Sequence, residues 1–135
     1  MALITDNLLR ELLRHLGTWL ANLQRAGDKR KRESIEALRA VVVASRHTQV
    51  YLRRLRDNIG QDHAEEARLA GRWTELGFSL RDLQLTRLAK RCDINGRYWA
   101  DPDQFDDDFL RQADVGLARM EQLARQMIAQ IEAKN

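Results

Sequence analysis

The stretch LRQADVGLARMEQLARQMIAQI, residues 110–131, decides the fold class. Within it Leu110, Ala113, Leu117, Met120, Ala124, Met127 and Ile131 recur three and four residues apart, the seam of an amphipathic helix with a heptad repeat. The same stepping runs through Leu9, Leu13, Leu16, Leu20 and Leu23, widened by Leu12 and Trp19. A third seam follows Val41, Ser45, Thr48, Leu52, Leu55 and Ile59. Stripes this wide face two neighbours each, as helices in a bundle must. Nowhere do apolar and polar residues alternate for long enough to make a strand. One proline and seven glycines also give too little punctuation for an all-β chain.

Glycine and aspartate then divide the chain. Gly27 before Asp28, Gly60 before Asp62 and Gly77 before Ser79 each read as a helix-ending glycine followed by a capping residue. Asp62 and Glu65 have the spacing of a capping box. Asn95-Gly96 reads as a turn, and Asp101-Pro102 as the cap and first residue of the last helix. The segments left are 6–26, 29–59, 63–76, 80–93 and 102–133. The expectation is an all-α, elongated antiparallel helical bundle occupying residues 1–135 as a single domain. Four main helices build it, and a short helix and loop around 80–101 cap or cross one end.

Composition narrows the function classes. In 135 residues, 44% hydrophobic and 32% charged, the single Cys92 excludes a disulfide framework and a multi-cysteine zinc site. The longest apolar run, Ala40 to Ala44, is far short of the roughly 20 residues of a membrane span. With no leader pattern at the start and one free cysteine, a cytoplasmic protein without membrane attachment is expected. The net charge of +3 conceals a division: residues 1–56 carry twelve Lys/Arg against five Asp/Glu, and the remainder eleven against fifteen. Nineteen of the 23 basic residues are arginine, the side chain suited to bidentate recognition of phosphate or carboxylate.

Arg32, Arg39, Arg46 and Arg53 fall seven residues apart, so each drifts only about 20° from the last and together they form one stripe. The stripe opposes the Val41–Thr48 seam, and Val43 and Val50 lie between its members. Upstream, Lys29, Arg30, Lys31 and Arg32 place cations at a helix N-terminus, against the macrodipole. As a functional face, this set binds phosphates or an acidic partner; as a solvated face, it is paired in part by Glu36. Tyr51 is the only aromatic of that helix, against the interleaved stacking residues usual in nucleic-acid readers. His47, one turn before Tyr51 and beside Arg46, marks a second polar group at the same level.

Arg97, Tyr98 and Trp99 are read as a loop triplet, either an interaction hot spot or aromatics folded back to plug the aliphatic core. The five aspartates of residues 101–108 do not make a calcium loop. Counted from Asp101, the sixth position is Asp106 instead of glycine and the twelfth is Gln112 instead of a carboxylate. Neither metal nor cofactor is expected.

No metalloprotease or phosphate-loop motif is present. Cys92 follows Lys90 and Arg91, yet the apolar periodicity around it reads as a packed cysteine. Arg10 to His15 and Arg56 to His63 have the arginine, four to six residues, histidine spacing that resembles the HEPN ribonucleases, an all-α family. Arg10 and His15 would stand about 140° apart on one helix. Arg56 and His63 flank the Gly60 break, and the resemblance implies RNA cleavage by that pair. The expected function is a non-enzymatic adaptor or accessory protein. It acts by protein–protein assembly, as a homo-oligomer or with another chain, through Lys29, Arg30, Arg32, Arg39, Val43, Arg46, Val50, Arg53, Arg97, Tyr98 and Trp99. Nucleic-acid binding through the arginine stripe and the ribonuclease reading are the alternatives.

Overall fold

The computed structural model describes residues 6–104 and 107–133, and the side chains of 14, 16–103 and 116–133. Five α-helices are found among the described residues: α1 (Asp6–Ala26), α2 (Asp28–Arg56), α3 (His63–Asp82), α4 (Thr86–Ala100) and α5 (Asp107–Ala133), with a 3₁₀ turn at Pro102–Gln104. The fold is all-α, and no strand occurs among the described residues. The predicted seams are the buried ones. Leu117, Met120, Ala124, Met127 and Ile131 of α5 are buried, as are Leu16, Leu20 and Leu23 of α1 and Val41, Ser45, Thr48 and Leu52 of α2. Leu9, Leu12, Leu13, Leu110 and Ala113 lie outside the described side chains.

α3 packs most closely on α4 and α2 on α5, and α2 against α3 joins the two pairs. The α2–α3 register is antiparallel: Tyr51 meets Glu66, Thr48 meets Trp73, and Arg30 reaches the Asp82 carbonyl at the far end. α1 turns into α2 through Gly27 alone, whose φ of 94° supplies the break. Trp19 of α1 donates its indole N–H to the Leu83 carbonyl at 2.8 Å, fastening α1 to the α3–α4 turn.

Several boundaries differ from expectation, and the differences share a cause. Gly77 ends no helix; α3 runs through it to Asp82. Asn95-Gly96 is likewise no turn but the middle of α4. A Cβ on Gly77 would stand 3.3 Å from the Ala89 carbonyl oxygen. On Gly96 it would strike the Thr74 hydroxyl and come within 3.1 Å of the Thr74 backbone nitrogen. These glycines serve the close approach of α3 and α4, not a left-handed backbone. The segment after residue 80 therefore lies along α3 instead of crossing the bundle end.

The left-handed positions fall elsewhere. α2 ends with Asn58 at φ 57°, where the Ile59 N–H reaches the Arg54 carbonyl and the Asn58 N–H reaches that of Leu55. α3 ends in the same way at Gln84, φ 68°, with bonds from Leu85 to Leu80 and from Gln84 to Arg81. Both are Schellman endings. α2 thus stops before Gly60, and Ile59, assigned to its seam, is 63% exposed. Asp101 closes α4 instead of capping the last helix, which begins at Asp107.

Three substitutions distinguish these glycine and non-glycine roles by thermal or urea unfolding. Gly96→Ala gains about 1 kcal/mol of helix propensity but forces an overpacked contact of about 1–3 kcal/mol, so a net loss of stability is expected. Gly71→Ala, with nothing within 4 Å of the added Cβ, is expected to stabilise by up to about 1 kcal/mol. Gln84→Gly relieves a left-handed non-glycine residue and is expected to stabilise by about 0.5–1 kcal/mol.

Candidate interaction surface

α2 is held on one side by α3 and on the other by α5. The first contact is polar and deep. Asp62 caps α3, its carboxylate accepting from the Glu65 N–H at 3.0 Å, which holds that carboxyl below its ordinary range. The Asp62 N–H is satisfied by the Tyr51 hydroxyl at 2.8 Å, and not by Glu65, which pairs with Arg68 instead. Tyr51 in turn donates to Glu66 at 2.7 Å, and the other Glu66 oxygen lies 3.1 Å from His63 Nδ1. Burial pushes the Tyr51 hydroxyl up to about 12. One helical turn earlier, Thr48 accepts the Trp73 indole N–H at 2.9 Å and donates to the Ala44 carbonyl.

Tyr98 and Trp99 meet this same network from α4. They belong to the last turn of a helix and not to a loop, and each is only 3% exposed. Trp99 stands edge-on to Tyr51 at 5.4 Å and to Tyr98 at 4.7 Å. Both aromatics are therefore part of the packed interior, as the core-plug reading expects, and they do not belong to the exposed interaction surface to which the sequence reading also assigns them. Arg97 remains exposed and pairs with Asp93 one turn earlier.

The outer face of α2 is the surface that the sequence marks. Lys29, Arg32, Arg39, Arg46 and Arg53 are all exposed, and Arg30 is partly covered where its guanidinium binds the Asp82 carbonyl. Val43 is 47% and Val50 58% exposed. On the α3 side, Val43 borders a shallow groove with Ala40, Arg72, Glu75, Leu76 and Ser79. There Arg72 reaches His47 Nδ1, a contact that the sequence pairing of His47 with Tyr51 did not anticipate.

On the α5 side lies a wider groove of about 650 Å³. Arg46, Arg53 and Arg56 of α2 and Arg119 of α5 line it, with Val50 and Ala118 between them. None of its described lining residues is acidic or aromatic. Arg46 is tethered there by Glu121 at 3.2 Å, and Glu121 is also held by Arg125. The groove could not be seen in α2 alone, because Arg119 and Ala118 come from a helix some sixty residues further along the chain.

No protein-family model, no curated protein and no solved structure matches this chain.

The two halves of the HEPN-like spacing are placed apart in role. Arg56 lines the α2–α5 groove, whereas His63 opens α3 and faces Glu66. The side chains of Arg10 and His15 lie outside the described residues. Among the described residues, no three His, Cys, Asp or Glu side chains are grouped to hold a metal ion, and no helix is long and apolar enough to cross a membrane. Of the aspartates at 101–108, only Asp101 and Asp103 have described side chains. Cys92 is fully buried in α4.

Burial raises Cys92 from 9.0 to about 12 and Tyr51 from 10.0 to about 12. A raised acid means that the folded state keeps its proton after the unfolded chain has lost it. Stability is thus intact below about pH 9 and falls as pH climbs from there towards 12. Tyr51→Phe is expected to lower stability at neutral pH by about 1–3 kcal/mol, by stranding Glu66 and the Asp62 N–H, and to flatten the alkaline decline. Circular dichroism melts from pH 7 to 11 measure both. Cys92 should resist a thiol reagent at pH 8 until denaturant is added; prompt labelling of the folded protein would contradict its burial.

Proposed function

We propose that this chain is a non-enzymatic helical scaffold that acts by protein–protein assembly and presents the outer face of α2 to its partner. One observation carries the reading: Val43 and Val50, one heptad apart, stand exposed inside a row of arginines. A face meant only for solvent has two reasons to avoid them. Each leaves apolar area in water, at about 25 cal/mol per Å², and each is β-branched and a poorer helix former than the long polar residues around it. Arginine and apolar side chains placed together are what a protein interface uses, with the apolar groups excluded from water at its centre. The partner is another protein or a second copy of this chain, and the free buried Cys92 suits a reducing cytoplasm.

A phosphate-binding role for Lys29, Arg30, Arg32, Arg39, Arg46 and Arg53 uses the same charges but has no use for the valines. Affinity capture from the source organism separates the two. Wild-type protein and a Val43→Asp/Val50→Asp variant are used in parallel, with and without nuclease. Proteins retained by the wild type after nuclease and lost by the variant support assembly. An eluate dominated by nucleic acid, or one that is the same for both baits, overturns it. Because the valines are exposed, the variant is expected to keep its helical circular dichroism and its melting temperature within a few degrees.

A further inference from the structure

We infer that the α2–α5 groove is the seat of a partner helix that is acidic and amphipathic, so the assembly proposed above would be completed by a third helix laid along α2 and α5. The inference rests on that assembly reading and specifies the chemistry of the occupant.

The shape comes first. Two packed helices leave a furrow between them, and an added helix that fills such a furrow extends the bundle by one member. Here the furrow is lined in part by Val50 and Ala118, both exposed. A small alanine and a short valine let another backbone come close. The rest of the lining includes cationic side chains from both helices, Arg46 and Arg53 of α2 and Arg119 of α5.

Spacing selects the partner. Arg46 and Arg53 are seven residues apart on one helix, about 10.5 Å along its axis. Carboxylates seven residues apart on a facing helix have the same repeat, so two ion pairs form without distortion. Arginine also matches carboxylate in a two-point fork. A single-stranded nucleic acid would be expected to find aromatic side chains for its bases, and none lines the groove among the described residues. Arg46 is already bonded to Glu121, but that pair is exposed and worth only about 0–1 kcal/mol, so an incoming carboxylate displaces or shares it at little cost. A row of glutamates with apolar residues between them satisfies guanidinium and valine together.

The test uses a synthetic 21-residue helical peptide with leucine along one heptad seam and glutamate on both flanks. A scrambled peptide of the same composition and a 12-nucleotide single strand serve as comparisons, with binding to the whole protein followed by fluorescence anisotropy at two salt concentrations. Saturable binding of the patterned peptide, at least tenfold tighter than the scrambled one, is expected. Arg53→Glu/Arg119→Glu should weaken it at least tenfold, whereas Arg81→Glu, exposed on α3 and outside both the groove and the α2 face, should change it less than twofold. Equal binding of both peptides, insensitivity to the groove variant, or preference for the oligonucleotide overturns the inference. Absence of peptide binding alongside valine-dependent protein capture rejects the acidic helix alone; loss of the valine dependence rejects the assembly reading beneath it.

Discussion

The close approach of α3 and α4 governs how the rest of the molecule is arranged. Gly77 and Gly96 lack the two Cβ atoms that would crowd the facing helix, against the Ala89 carbonyl in one case and the Thr74 hydroxyl and backbone nitrogen in the other, so the helices pack closely. That contact aligns α4 along α3 and carries its last turn to the level of Tyr51. Trp99 and Tyr98 are consequently interior residues, joined edge-to-face to the aromatic of α2. Were the two helices held a side chain further apart, this aromatic group would have nothing to close against.

Polar chemistry then sets the register of α2 on α3. The Tyr51 hydroxyl serves as acceptor for the Asp62 N–H and donor to Glu66, while Thr48 receives the Trp73 indole. Buried polar groups of this kind are costly when unmet, so a sliding of α2 by one turn would strand several at once. Apolar packing tolerates such a slip far better. With α3 and α5 on its flanks, α2 has a single face left for solvent, and that face is the row of arginines and valines.

The row itself was legible from spacing, since a seven-residue repeat of arginine opposite an apolar seam requires no knowledge of neighbours. The groove beside it was not legible. Its second wall is Arg119, and no local pattern connects residue 119 to residue 53. Tyr98 and Trp99 were misplaced for a related reason. Asn95-Gly96 is a strong turn signal in isolation, and reading it so puts the aromatics in a loop, whereas in the fold that glycine is spent on Thr74. The sequence marks His47 as a polar group one turn from Tyr51, but its partner Arg72 lies on another helix.

What the amino-acid sequence determined by itself was the all-α class, the apolar seams that are buried, the capping of α3 by Asp62, and the charged outer face of α2. Each follows from periodicity or capping chemistry within one helix, where the physics is local. The tertiary structure alone decided where α2 and α3 end, what Gly77 and Gly96 are for, and which arginines share a groove. A glycine serves equally well as a left-handed terminator or as a gap for another backbone, and only the neighbour distinguishes the two. At Asn58 and Gln84 the left-handed turn is taken by residues that no glycine rule would select. Pairing energies across 25 to 75 residues of chain are not written in any window short enough to show helical period.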